Sequence, residues 1–235
     1  MHPIFDGVKA VFIDVDDTLL DFSKCTAVAL EKACAEHNVP FAEHFTETFL
    51  PINVNFWKKI ETGELTREQV FTVRFDTVFA ALGLSPAVSA AAFDDTFRAH
   101  LNDVAVPVDG AEALLAALSA RFPVYAASNA MYDQQQKRLA KSGLRDHFTD
   151  LFISDVLGAE KPRKAYFDAC FAKLPGVLPC HVVMIGDSVS ADIAGAKQYG
   201  LRTIWFNHAM KKLPSECADI TVGALKEITD MITDG

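Results

Sequence analysis

At 235 residues the chain has room for one large domain, or for a core with a smaller insert. Half of its residues are apolar and its mean hydropathy is slightly positive, so a sizeable core is available and a disordered chain is excluded. The net charge of −9 argues against a binder of nucleic acid polymer, whose affinity rests on Lys and Arg neutralising phosphates.

In chain order, the N-terminus has no basic flank, long apolar core or small-residue cleavage site, so no signal peptide is expected. No apolar run approaches the roughly 18 residues that suggest a membrane span. A cytoplasmic protein with no membrane partner is the expectation. Cys25, Cys34, Cys170, Cys180 and Cys217 form no Cys-x-x-Cys pair and read as reduced packing residues. The histidines show no metal spacing.

Lys9–Val15 is a predicted strand. From residue 21 to about residue 105 apolar residues recur at helical spacing. The stretches are Ala27 to His37, then Phe45, Phe49, Ile52, Phe56 and Ile60, then Phe71, Phe75, Val78, Phe79 and Leu82, and last Phe93, Phe97 and Leu101. Pro51 is expected to break or kink the second element after Leu50. Pro107 and Gly110 mark the return. Strands are then expected at Val124–Ser128, Leu151–Ser154, Val182–Gly186, Thr203–Phe206 and Ile220–Val222. Helices are expected at Ala111–Ala120, Tyr132–Lys141, Lys164–Lys173, Val189–Tyr199 and Leu225–Thr233. The pattern predicts an α/β fold: a doubly wound, Rossmann-like parallel sheet from residues 1–20 and 106–235, with a helical bundle inserted at 21–105.

Four segments carry chemistry. The first is Asp14-Val15-Asp16-Asp17-Thr18, two carboxylates in alternate positions and a hydroxyl where a buried strand runs out. Asp14 is placed to attack phosphorus as a nucleophile, and Asp16 to protonate the leaving oxygen. A calcium loop fails on spacing, because Leu19 and Cys25 stand where it needs glycine and glutamate. The second segment is Ser128-Asn129, a hydroxyl and an amide at a strand end that suit either a phosphate or a helix cap. In the third, Pro162 suits the first turn of a helix, which sets Lys161 at the positive end of the helix dipole, where a cation implies an anion. The fourth is Gly186-Asp187-Ser188-Val189-Ser190-Ala191-Asp192, with two carboxylates able to serve magnesium or cap a helix.

With these segments in this order, the chain resembles the haloacid dehalogenase-like (HAD) superfamily over nearly its full length. The insert resembles that superfamily's type-1 helical cap. The resemblance implies that Asp14 is the nucleophile, Asp16 the acid and base, Ser128 and Asn129 phosphate ligands, and Lys161 a charge stabiliser touching phosphate. It implies magnesium held by Asp14, Asp187 and the Asp16 carbonyl, with Asp192 supporting the metal shell. Haloacid dehalogenases lack the second aspartate, so Asp16 favours phosphoryl transfer. Asp14 to Phe22, the run Asn55-Phe56-Trp57 through Gly63-Glu64-Leu65-Thr66, and Arg74-Phe75 look like the pyrimidine 5′-nucleotidase branch. Phe22, Asn53, Trp57 and Arg74 are the cap residues expected to meet a nucleobase, with cap packing as the alternative for the aromatics and an ion pair, on the surface or inside the cap, as the alternative for Arg74.

The expected protein is therefore a magnesium-dependent phosphatase, monomer or homodimer, acting on a small phosphorylated metabolite. A nucleoside 5′-monophosphate is the first candidate. A sugar-phosphate or phosphoglycolate phosphatase, a mutase and a 2-haloacid dehalogenase stay open. So does a phospho-receiver signalling domain, although the length and the helical insert count against it.

Overall fold

The computed structural model describes residues 1–41, 44–210 and 217–233. The chain divides into two compact units, Met1–Asp21 with Pro107–Gly235, and Phe22–Val106.

In chain order, β1 (Ala10–Ile13) comes first. The inserted unit then supplies α1 (Phe22–His37), α2 (Phe45–Thr62), α3 (Arg67–Ala81) and α4 (Ala90–Asn102). The first unit resumes with α5 (Ala111–Ser119), β2 (Val124–Ser128), α6 (Tyr132–Lys141) and β3 (Asp150–Ile153). The single turn α7 (Ser154–Leu157), α8 (Lys164–Ala172) and β4 (Val182–Gly186) follow. A π-helical turn, Val189–Ala194, runs into α9 (Gly195–Tyr199), and β5 (Arg202–Phe206), β6 (Ile220–Val222) and α10 (Leu225–Thr233) complete the fold.

Among the described residues, six strands form one sheet in the order β3-β2-β1-β4-β5-β6, every pairing parallel. The central strand β1 is apolar and buried at every position, as a strand covered on both faces must be. Ala10 and Phe12 point into a cluster with Tyr125, Phe152, Tyr166, Phe167 and Met184, while Val11 and Ile13 alternate to the opposite face. The strand order reverses between β2-β1 and β4, the crevice where such sheets bind ligands.

The inserted unit has its own core, in which Phe45, Phe49, Phe75, Phe79, Phe93 and Phe97 pack ring on ring. Pro51 does not break its helix. α2 runs through it, because Phe45 and Phe49 before the proline and Asn53 and Ile60 after it are all buried on that helix. Packing of this kind offsets a lost backbone hydrogen bond worth about 1 kcal/mol.

Two further expectations need correction. Pro162 lies outside the helix, which starts at Lys164 with Arg163 as its cap, and the Lys161–Pro162 peptide is cis. Lys161 therefore stands in a loop, not at a helix terminus. The helix expected at Val189–Tyr199 is a π turn joined to a short α-helix, with the Ser188 hydroxyl accepting from the Ala191 amide at its start.

Candidate active site

β1 ends at Ile13, and the Asp14 amide still donates to the Ile185 carbonyl of β4 at 2.9 Å. The nucleophile candidate is thus fixed by the sheet ladder one residue past the strand. The chain then turns with Asp17 in the left-handed region at φ 60°, and the amides of Leu19 and Leu20 both return to the Val15 carbonyl. This tight loop delivers the Thr18 hydroxyl to the Asp187 amide, at 3.1 Å. Asp187 is held on its other side by the Trp205 indole, which donates to its carbonyl at 2.9 Å.

Lys161 links the segments. Its ammonium donates to Asp14 Oδ1 at 2.7 Å, to Asp192 Oδ1 at 2.6 Å and to the Ala127 carbonyl at 2.5 Å. An ammonium has three donors, and all three are taken. Direct contact with phosphate, expected for Lys161, would require one to be exchanged. The group present acts on Asp14 by charge. Burial pulls the Lys161 ammonium down, but Asp14 and Asp192 more than offset it and hold the lysine charged. Burial pushes the Asp14 carboxyl up to about 8, with Asp192 and Asp16 adding to the rise and Lys161 opposing it.

The side chain of Asn129 is bonded to the backbone of Lys161. Its Nδ2 donates to the Lys161 carbonyl at 2.9 Å and its Oδ1 accepts from the Lys161 amide at 2.8 Å. Asn129 therefore anchors the lysine loop through both ends of its side-chain amide. The Ser128 side chain lies at the end of β2. Its Oγ accepts from the Ala130 amide at 3.2 Å and from Gln135 Nε2 at 2.8 Å. With both acceptor positions used, the hydroxyl proton is left to donate, which suits an anionic oxygen.

Asp16 has partners that no motif announced. Arg138 Nη1 donates to its Oδ1 at 2.5 Å, and Gln135 Nε2 donates to its Oδ2 at 2.6 Å. Both residues lie on α6, three apart and so on one face. The sequence signal was faint: two polar residues on the same stripe as Leu139, in a helix rich in polar residues.

One carboxylate oxygen from each of Asp14, Asp187 and Asp192 lies within 4.8 Å of the other two. A set of hard oxygen donors carrying more negative charge than Lys161 can balance fits a divalent cation such as magnesium. Asp192 is committed on both oxygens, to Lys161 and to the Ser188 amide at 3.0 Å, which suits a supporting role.

In the inserted unit, Arg74 and Asn53 are buried and spent on each other. Arg74 donates to Asp94 Oδ2 at 2.5 Å and to Asn53 Oδ1 at 2.7 Å, inside a cage of Phe49, Phe71, Phe75 and Phe97. The ion pair weighed as the alternative for Arg74 is what the structure contains. Trp57 and Phe22 are half-buried, and Phe22 packs on the phenylalanine core.

A family model described as haloacid dehalogenase-like hydrolase matches residues 8–200. YfnB of Bacillus subtilis (strain 168) is 34% identical over 203 residues, covering 86% of each chain. The pyrimidine 5′-nucleotidase PynA of Streptococcus pneumoniae (strain R6) is 32% identical, covering 85% of this chain and 84% of its own. The pyrimidine 5′-nucleotidase YjjG of Escherichia coli (strain K12) is 29% identical, covering 94% and 96%. The magnesium-bound crystal structure of YfnB superposes with a TM-score of 0.88 at 32% identity, over 96% of this chain and 99% of that one.

Proposed function

Because the chain belongs to the haloacid dehalogenase-like hydrolase family, we propose that it is a magnesium-dependent phosphomonoesterase working through a phosphoaspartate on Asp14, with pyrimidine nucleoside 5′-monophosphates as its substrates. Phosphatase action follows from the family and from the nucleotidases among its relatives. Family membership also sets the signalling-receiver alternative aside. The names of PynA and YjjG support the nucleotide, and the magnesium in the YfnB crystal supports the metal.

The observation that carries the mechanism is the Asp14–Lys161–Asp192 triad beside Asp187, with Asp16 two residues on. Asp14 attacks phosphorus, the ester P–O bond breaks, and Asp16 gives its proton to the leaving oxygen. Asp16 then takes a proton from water as that water's oxygen attacks phosphorus and frees Asp14. The Ser128 hydroxyl holds a phosphoryl oxygen, and Lys161 keeps Asp14 oriented. Magnesium, held by Asp14, Asp187 and the Asp16 carbonyl with Asp192 behind them, would neutralise the phosphoryl charge.

The test is phosphate release, with magnesium, from pyrimidine and purine nucleotides, sugar phosphates, phosphoglycolate and 2-haloacids. Pyrimidine nucleotides should lead. A hydroxylamine-sensitive phosphoryl group should accumulate on the wild type and be absent from Asp14→Asn. Wild-type turnover by that variant would end the nucleophile assignment.

A further inference from the structure

We propose that Gln135 and Arg138 are positioning residues for the acid–base step: they fix the rotation of the Asp16 carboxylate and tie it to the phosphate-binding hydroxyl of Ser128. The inference rests on the phosphatase reading above and extends it to two residues of α6.

Arg138 is fully buried while the Asp16 side chain is 27% exposed. Burying a guanidinium carries a desolvation cost of several kcal/mol, and an ion pair of this kind is weak evidence for stability. A helix that needed only to pack would present an apolar residue there. Instead α6 buries Gln135, Arg138 and Leu139 side by side. Each oxygen of Asp16 receives its own donor, Oδ1 from Arg138 and Oδ2 from Gln135, so the plane of the carboxylate is set. Arg138 Nη1 also donates to Gln135 Oε1 at 3.3 Å, which fixes the amide so that its Nε2 faces Asp16 and Ser128. Neither Arg138 Nη1 nor Gln135 Nε2 can accept a hydrogen bond. A proton on Asp16 therefore has to lie away from both, on the lone pairs left for the leaving oxygen or the attacking water. Through Gln135, the group that moves the proton and the hydroxyl that holds the phosphate share one amide.

Ester chemistry separates this role from simple packing. A nitrophenolate leaves without a proton, whereas a nucleoside alkoxide requires one. First-turnover rates of Arg138→Met, Arg138→Lys and Gln135→Leu should be compared on p-nitrophenyl phosphate and on a nucleoside 5′-monophosphate, with magnesium. For Arg138→Met the nucleotide rate should fall by about 10²-fold or more, the scale of a lost general acid. The initial burst of nitrophenolate should survive, followed by a slow second phase, because cleavage of the phosphoaspartate still needs Asp16 as base. Arg138→Lys should recover part of the nucleotide rate. Gln135→Leu should show the same ester split in the first-turnover rate, together with weaker binding of both esters through Ser128. If Arg138→Met does not fold, as judged by circular dichroism, the other two variants carry the comparison. Equal losses on both esters, or no loss on either, would overturn the positioning role. Failure of the phosphatase reading looks different, since the wild type itself would then release no phosphate from either ester.

Discussion

Asp14 accepts from the Lys161 ammonium and feels the charges of the Asp192 and Asp16 carboxylates. The lysine is the pivot, because its three donors hold two carboxylates and the β2 carbonyl of Ala127 together. Lys161→Met should strip all three acceptors of their partner in a buried setting. Breaking such a pair costs about 3–5 kcal/mol, so thermal unfolding without magnesium should show a markedly lower midpoint, and phosphate release should fall with it. An unchanged midpoint would mean that the carboxylates find other donors. Most residues of this cluster could be read in the sequence, because each sits where an apolar strand ends or shortly after it. Gln135 and Arg138 could not. They lie inside a helix whose composition is strongly polar, and periodicity alone does not say which polar stripe turns inward. Arg74 was singled out, but its burial was not legible. Its neighbour Phe75 marks a buried face, yet only the fold shows that the arginine shares it.

Among the elements, the loop carrying Lys161 depends on an absent side chain. A Cβ at Gly195 would come within 2.5 Å of Pro162 Cβ and 2.7 Å of the Pro162 carbonyl oxygen. The start of α9 thus presses directly on the residue after Lys161. Gly195→Ala must push that loop away or distort the π turn, at a cost of about 1–3 kcal/mol for overpacking. The expected result is a lower denaturation midpoint together with reduced turnover, since the Lys161 contacts to Asp14 and Asp192 move with the loop. Full activity would show that the contact relaxes without disturbing the lysine. Strands, and the helices of the first unit such as Tyr132–Lys141, were legible from periodicity to within a residue or two, whereas α1, α3 and α4 begin three to five residues before the apolar stretches that marked them. Pro51 was expected to break or kink its helix and does not break it, and Pro162 lies outside the helix it was expected to open. Core packing overrode the helix-breaking tendency of Pro51, while a loop that has to bring Lys161 to the sheet ends kept Pro162 out of its helix.

For the molecule as a whole, the site concentrates negative charge on a chain that already carries −9. The carboxylates of Asp14, Asp187 and Asp192 converge within 4.8 Å in the first unit, where their mutual repulsion opposes folding until a cation arrives. Magnesium should therefore stabilise the folded protein by mass action, by about 2.7 kcal/mol at a hundredfold excess over its dissociation constant. Asp187→Asn separates that effect from the intrinsic stability of the fold. The substitution leaves the backbone contacts of residue 187 with Thr18 and Trp205 in place and removes one like charge. Without magnesium, the variant should melt at the wild-type temperature or slightly above it. With magnesium, the upward shift seen for the wild type should be largely lost. Calorimetry of both proteins across a magnesium titration measures the two quantities at once. A variant that keeps the full magnesium shift would place the ion away from Asp187.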